Sequence, residues 1–387
     1  MTNNKYYSVV YSICCDIAAF DDWKWGSSIR SMAEGFTCFF DDRGGPALLG
    51  NTRNGLQSSS PSLQTEFYDL LTLGTQDPES GESYFHLGVS EGISKQGFYD
   101  HYIKLTHNLF GCPETPIWVN TPTQFTSANV TDGGSYLTVN AGVAGSDINI
   151  RSLDNGVSYN LTAHNVTSYS FNTSIRPLIV TITKSQYLPY STVTGGTLTT
   201  NGSLSSKLKV LNTITVANSK ILTIEPNTIL NFTTNSSLVV NGTLNAIGSE
   251  TDRITLTSHS GTTNSSWGTI TLSGSGAAGS QIKYADIKYG TKIEAVNTSN
   301  ITIQYCSIDT TYDGVRFNNS TGSILNNNIT TNSLGHGVVA ENAANITVKE
   351  NTITKTNSSR CGVGIYFGGG SNGIALSVPH VLDRFLR

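Results

Sequence analysis

Charge is scarce in this chain. Asp, Glu, Lys and Arg make up 13% of its 387 residues, about half the share of an ordinary soluble domain. The 23 Lys and Arg stand against 27 Asp and Glu, for a net charge of −4. No basic cluster occurs, so nucleic acid is not an expected partner. No run of about 18 apolar residues occurs either, so no membrane span is expected. The cysteines (Cys14, Cys15, Cys38, Cys112, Cys306 and Cys361) include no CxxC pair. That excludes the usual zinc spacing, and six thiols spread over this length do not make a disulfide scaffold, so no metal or other cofactor is expected. A signal peptide is missing too: Met1–Lys5 is polar and Tyr6–Ile13 is short and strand-like. Asn, Thr, Ser and Gly are abundant instead, a bias common in exported solenoids. The expectation is a secreted or cell-surface protein whose signal is not present in this chain.

Three zones differ in pattern, and together they predict a multidomain chain, α/β followed by all-β. Residues 1–115 mix strand and helix signals. Tyr6–Ile13 is rich in β-branched and aromatic residues and predicts a buried strand. Ser27–Phe40 carries Ile29, Met32, Ala33 and Phe36 at helical spacing, and Gly45–Gly50 predicts a second, parallel strand. Ser62–Leu73 and Ser94–Leu109 predict helices, the second stopped by Gly111 and Pro113. Strands alternating with helices imply a parallel sheet with crossover helices.

Residues 116–189 have no helix signal. Short alternating runs (Tyr136–Val139, Asp147–Ile150, Ser168–Phe171, Leu178–Thr183) are separated by turns at Asp132–Gly134 and Asp154–Gly156. This predicts an immunoglobulin-like β-sandwich. Residues 190–372 repeat. Ile303, Ile324 and Val348 align at steps of 21 and 24, and Ile308, Ile329 and Ile353 align at the same steps. A period of roughly 20 to 25 residues, with short apolar strands and Asn- or Gly-rich corners, predicts a right-handed parallel β-helix. The pattern fades into an irregular tail at 373–387.

Cys15 is the sharpest candidate for chemistry, because it follows the first strand at its carboxyl end, where sites form in parallel α/β sheets. A thiol there needs a positioned imidazole to become a nucleophile. The alternative is a buried structural cysteine. The Gly- and Ser-rich segment Asn51–Ser60, after the second strand, either flanks a substrate pocket or is an ordinary surface loop. Asn-x-Ser/Thr sequons begin at Asn160, Asn231, Asn241 and Asn345, among others, as turn-rich composition alone would generate.

Four blocks carry a resemblance: Tyr11–Asp21 (YSICCDIAAFD), Gly44–Gly55 (GGPALLGNTRNG), Leu63–Leu71 (LQTEFYDLL) and Asn108–Trp118 (NLFGCPETPIW). In this order they resemble the gingipain-type cysteine peptidases and cover most of residues 6–118. The resemblance implies the C-terminal part of a caspase-like α/β domain with a Cys–His dyad, commonly followed by an immunoglobulin-like domain. It implies Cys15 as the nucleophile, with Cys14 at a position usually held by a small residue, and protein or peptide substrates. Two departures accompany it. The family's histidine lies upstream of the nucleophile, yet all seven His here (His86, His101, His107, His164, His259, His336 and His380) lie downstream. Cys112 stands where the fourth block would carry Asp. The histidine is therefore expected from a segment preceding this chain, and the chain alone is expected to be inactive.

Two other readings compete. One is a noncatalytic surface or adhesion protein with a β-helix stalk, for which cell-surface glycans are possible partners. The other is a polysaccharide-acting β-helix enzyme, whose nearest charged set is Asp309, Asp313 and Arg316. His336–Gly337 copies a His-Gly pair but lies in a solenoid coil, where a solvated corner histidine is expected.

Overall fold

The computed structural model describes residues 9–20, 31–37, 45–76, 83–260, 266–310, 312–331, 335–355, 364–376 and 380–381. It divides into two compact units: residues 1–124 with 184–188, and residues 125–183 with 189–387. Cys38, Cys361 and the outer parts of the Ser27–Phe40 helix prediction lie outside the described residues.

The first unit contains β1 (Val9–Tyr11), α1 (Met32–Thr37), β2 (Ala47–Asn51), α2 (Ser59–Leu73), β3 (Thr75–Gln76), β4 (Ser83–Tyr84), α3 (Leu87–Lys95), α4 (His101–Thr106) and β5 (His107–Gly111). β2 is central: it pairs in parallel with β1 and antiparallel with β5. All five of its residues are buried, and its period-2 alternation explains how. Ala47 and Leu49 pack with Phe67, Leu71 and Leu87 from α2 and α3. Leu48 packs on the other face with Ala18 and Ala33. In α2, Leu63, Phe67 and Leu71 recur every fourth residue on the buried stripe. Pro61 falls in its first turn, where a missing N–H costs nothing.

The predicted Ser94–Leu109 helix is not formed. α3 ends at Lys95, Gly97 turns with φ +81°, and Asp100 caps a new short helix by accepting from the N–H groups of Tyr102 and Ile103. The last residues of the prediction enter β5, because Asn108 and Leu109 complete the antiparallel ladder with β2. The sheet is thus mixed rather than purely parallel.

The second unit begins with antiparallel strands β6 (Asn129–Asp132), β7 (Tyr136–Asn140), β8 (Ser146–Ser152), β9 (Asn160–Val166), β10 (Ser168–Asn172) and β11 (Leu178–Thr183). They form two sheets, in the orders β10-β7-β6 and β9-β8-β11. Arg176 closes on Asp132 at 2.6 Å. The second of these sheets does not stop at β11. β11 pairs antiparallel with β12 (Tyr190–Val193), and β12 pairs in parallel with Lys207–Val210, the next strand of the solenoid. One twelve-stranded sheet therefore runs from the antiparallel strands into the solenoid. This covers the edge that the first coil would otherwise expose.

From residue 190 onward the chain winds as a parallel β-helix with three sheets. Among the described residues, the second and third sheets have eight strands each, from Gly196–Leu198 to Ile365–Gly368 and from Gly202–Leu204 to Asn372–Leu376. Alternate residues point inward and stack coil on coil. On the first sheet Leu208, Leu230, Leu256, Ile287, Ile308, Ile329 and Ile353 lie in register. On the third, Ile282, Ile303, Ile324 and Val348 do the same. The coils continue past the point where the repeats fade. Asn372–Leu376 pairs with Ala344–Lys349, and His380–Val381 pairs with Thr352–Lys355. The register there pairs Val348 with Ala375 and Ile353 with Val381.

Corners between the third and first sheets use left-handed residues, among them Asn326 at φ +55°. Beside it, buried Asn327 donates from Nδ2 to Ile303 O at 3.0 Å and to Asn351 Oδ1 at 2.9 Å, and its Oδ1 accepts from Cys306 N at 2.8 Å. Cys306 is correspondingly structural: burial pushes its thiol up to about 11. Asn327→Ala would leave these buried backbone groups unpaired. At about 1 kcal/mol or more for each orphaned group, urea titration should show a loss of about 2–3 kcal/mol. An unchanged midpoint would contradict the ladder's role.

Candidate active site

Cys15 lies in an exposed loop that leaves the carboxyl end of β1. The loop is tied to the neighbouring strand along its length. Ser12 N donates to Leu49 O at 2.8 Å, Asp16 N to Arg53 O at 3.0 Å and Ala18 N to Asn51 O at 3.1 Å. Asn51 ends β2 and is fully buried. Its Nδ2 donates to the carbonyls of Ile13, at 3.1 Å, and Cys14, at 3.2 Å. Two adjacent carbonyls held by one amide fix the backbone that carries Cys15.

The thiol meets the segment after β2. Gly55 N donates to Cys15 Sγ at 3.2 Å, and Sγ lies 3.7 Å from Gly55 O. A Cβ at position 55 would come within 2.4 Å of Ile13 O and 2.9 Å of Asn51 Nδ2. Only glycine lets this backbone approach so closely. The segment Asn51–Ser60 thus flanks Cys15. Cys14 is exposed too, with its N–H on Ser12 Oγ at 3.2 Å. Cys112 is a free, exposed thiol just past β5.

Among the described residues, the hydrogen-bond contacts of Cys15 Sγ are with Gly55, and none is with a histidine. His107, in β5, is almost completely buried and is engaged elsewhere. Its Nδ1 is 3.1 Å from Glu91 Oε1, and its ring stacks on Tyr11 with centroids 4.6 Å apart. Lys95 Nζ reaches the same carboxylate oxygen at 2.8 Å. Burial pushes the Glu91 carboxyl up, but His107 and Lys95 outweigh it and hold it below the usual carboxylate range. Burial, reinforced by the Glu91 charge, pushes the Tyr11 hydroxyl up. This cluster braces β1 against α3 and β5 under the Cys15 loop. Sequence reasoning missed it, although the i,i+4 spacing of Glu91 and Lys95 was a visible signal.

The solenoid's charged residues separate. Asp309 lies on the first sheet, where burial pushes its carboxyl above the usual range, opposed by Lys288. Arg316 lies on the second, bonded to Asp313 at 3.1 Å and Glu341 at 2.5 Å. His336 Nδ1 lies 3.2 Å from Asp313 Oδ1 and the residue is partly buried, so it is a hydrogen-bonded residue rather than a freely solvated corner. The structure brings Asp313, Arg316 and His336 together and leaves Asp309 apart. Among the described residues, no three His, Cys, Asp or Glu side chains form a metal-sized group. No helix among them is long and apolar enough to cross a membrane.

Comparison with known families follows this division. Residues 1–118 match peptidase family C25, and residues 212–377 match the right handed beta helix region. The N-terminal residues are thus similar to that peptidase family, and residues 212–377 to a right-handed parallel β-helix. Among solved structures, that of the Arg-specific cysteine proteinase gingipain R is 15% identical, with a TM-score of 0.36, covering 48% of this chain and 44% of the other. The complex of the pro- and mature domains of RgpB from Porphyromonas gingivalis is 13% identical, with a TM-score of 0.35, covering 48% of this chain and 45% of the other. A third structure, described as a protease, is 19% identical, with a TM-score of 0.31, covering 48% of this chain and 46% of the other. The chain spans less than half the length of each of these structures. No curated protein matches the chain.

Proposed function

We propose that residues 1–115 carry the nucleophile of a cysteine-type endopeptidase, and that a histidine from a segment outside this chain completes the site. The observation that carries the reading is the placement of Cys15: exposed, at the carboxyl end of β1, on a backbone clamped by Asn51 and against the Gly55 N–H. β1 pairs with β2 along one edge, and among the described residues no strand pairs with the other. A further strand bearing the histidine would add there.

The chemistry then runs in two steps. The histidine takes the Cys15 proton, and Sγ attacks the carbonyl carbon of the scissile peptide bond. The C–N bond breaks, and the same imidazole gives the proton to the leaving amine. Water, deprotonated by the imidazole, attacks the acyl-thioester and releases the acid, returning Cys15 to a thiol. Backbone N–H groups of the loop would hold the oxyanion. Protein or peptide substrates and a secreted or cell-surface location fit this reading. Residues 116–189 are read as an immunoglobulin-like module and 190–372 as a β-helix, neither with a part in the chemistry.

The chain by itself should hydrolyse fluorogenic peptides negligibly. Joined to the coding sequence upstream of Met1, it should gain about 10² to 10⁴ in rate, the usual worth of positioned acid–base help. Strong cleavage by the present chain alone would overturn the requirement for an external histidine.

A further inference from the structure

A groove runs across four successive coils of the solenoid, at the corner where its third sheet turns into its first. It is a cavity of about 460 Å³, lined by Glu250, Arg253, Tyr284, Tyr305, Asn326 and Asn328, with two neighbouring residues. Its wall arises from a difference in corner length. The strands Thr243–Ile247 and Ile254–Ser258 are joined by six residues, whereas Gln281–Lys283 and Ala285–Gly290 are joined by Tyr284 alone. The longer corner overhangs the next ones. It is also rigid: Gly248 N donates to Lys283 O at 3.0 Å, Asp252 N to Ser249 Oγ at 2.9 Å and Asn227 N to Asp252 O at 3.1 Å.

The floor is aromatic. Tyr284 and Tyr305 occupy equivalent corners one coil apart, and their rings stack with centroids 4.8 Å apart and planes 20° apart. Tyr305 is 40% exposed. Both residues are left-handed, at φ +50° and +56°. The next coil fills the same corner with Asn326 at φ +55°, the residue type that tolerates this conformation best after glycine. Placing tyrosine there twice costs backbone energy, and it gives a two-ring platform at the floor of an open groove. Strained residues that persist in this way cluster at binding sites.

The polar groups are fixed around the platform. The Arg253 guanidinium is held by Asp286 at 2.8 Å and donates to Ala285 O at 3.2 Å and Tyr305 O at 3.0 Å. Its charge is therefore matched, and Glu250 at the rim adds a negative one. The groove thus combines ring faces, amides and a hydroxyl-accepting carboxylate without excess positive charge. That chemistry suits a sugar ring, with C–H faces against tyrosine and hydroxyls on Asn and Glu. It disfavours uronates.

We propose that this groove is a binding site for a neutral oligosaccharide or polysaccharide, independent of Cys15. The test is isothermal titration of the full chain with hexasaccharides of β-1,4-linked glucose, mannose and N-acetylglucosamine, with hexagalacturonate as the acidic comparison. At least one neutral hexasaccharide should bind, and hexagalacturonate should bind more weakly. Tyr305→Asn, which installs the residue the next coil already uses, should weaken binding about tenfold, as loss of an aromatic platform implies. Its far-ultraviolet circular dichroism should be unchanged, and Tyr305→Phe should bind as the parent does. Absence of binding by every neutral hexasaccharide, tighter binding of hexagalacturonate, or full affinity in Tyr305→Asn would overturn the proposal.

Discussion

In the chain joined to its upstream coding sequence, Cys15→Ala is expected to reduce peptide hydrolysis to background, whereas Cys14→Ala should leave it largely intact. The two thiols are adjacent and both exposed, so accessibility does not distinguish them. Geometry does. The sulfur of Cys15 receives the Gly55 N–H and lies beside the segment that follows β2, whereas Cys14 offers its carbonyl to the Asn51 clamp. Losing the nucleophile removes the covalent route altogether, and the residual rate is then that of binding and oxyanion contacts alone. Measured kcat/KM should therefore fall by about 10³ or more in Cys15→Ala. Equal losses in both variants would mean that the loop, rather than one sulfur, carries the effect.

Asp154→Ala should loosen the first coil of the solenoid. The carboxylate is buried between the antiparallel strands and that coil. One oxygen accepts from Thr199 N at 2.8 Å, Thr199 Oγ1 at 2.7 Å and Thr200 N at 3.2 Å; the other accepts from Gly156 N at 3.2 Å and from the Thr200 hydroxyl. Burial pushes the Asp154 carboxyl up, but the Thr200 and Thr199 hydroxyls and the Thr199 and Gly156 amides outweigh it and bring it down to about 2. Hydrogen bonds to a charged group are worth about 1.5–3 kcal/mol each and are not additive, so a loss of about 3–5 kcal/mol is expected. Hydrogen exchange over residues 196–204 should accelerate by about two orders of magnitude or more. The sign of the pH dependence follows. The folded pKa is depressed below the unfolded value, so this stabilisation is complete above about pH 4. It is lost as pH falls from about 4 toward 2, by about 2.5 kcal/mol in all. Asp154→Asn should abolish that part of the acid response. Exchange unaffected by Asp154→Ala would show that the shared sheet alone fixes the first coil.

The β-helix was legible because its signal is periodic and local. Ile303, Ile324 and Val348, aligned by sequence steps, are the residues that the strand register pairs. The first strand was legible only in part: of the buried strand expected over Tyr6–Ile13, Val9–Tyr11 is formed and half-buried, residues 6–8 lie outside the described residues, and Ser12–Cys14 separate the strand from Cys15. What was not legible depends on contacts distant in sequence. Ser94–Leu109 has a helical composition, but the αL turn at Gly97 and the edge offered by β2 divide it into two helices and a strand. The continuous sheet through β12 could not be read from Tyr190–Val193, because both neighbours of that strand are set by tertiary pairing. Asn51 lies in the second resemblance block, but nothing in the sequence marked its side chain as a clamp. Its importance comes from two carbonyls 37 and 38 residues away in the chain.

The most direct test of Cys15 as a nucleophile is covalent capture. The chain joined to its upstream coding sequence would be treated with a peptidyl acyloxymethyl ketone, and the adduct located by tandem mass spectrometry. The account predicts one adduct, on Cys15, which disappears in Cys15→Ala and persists in Cys14→Ala. An adduct on Cys14 or Cys112, or no adduct on an extended chain that cleaves peptides, would contradict it.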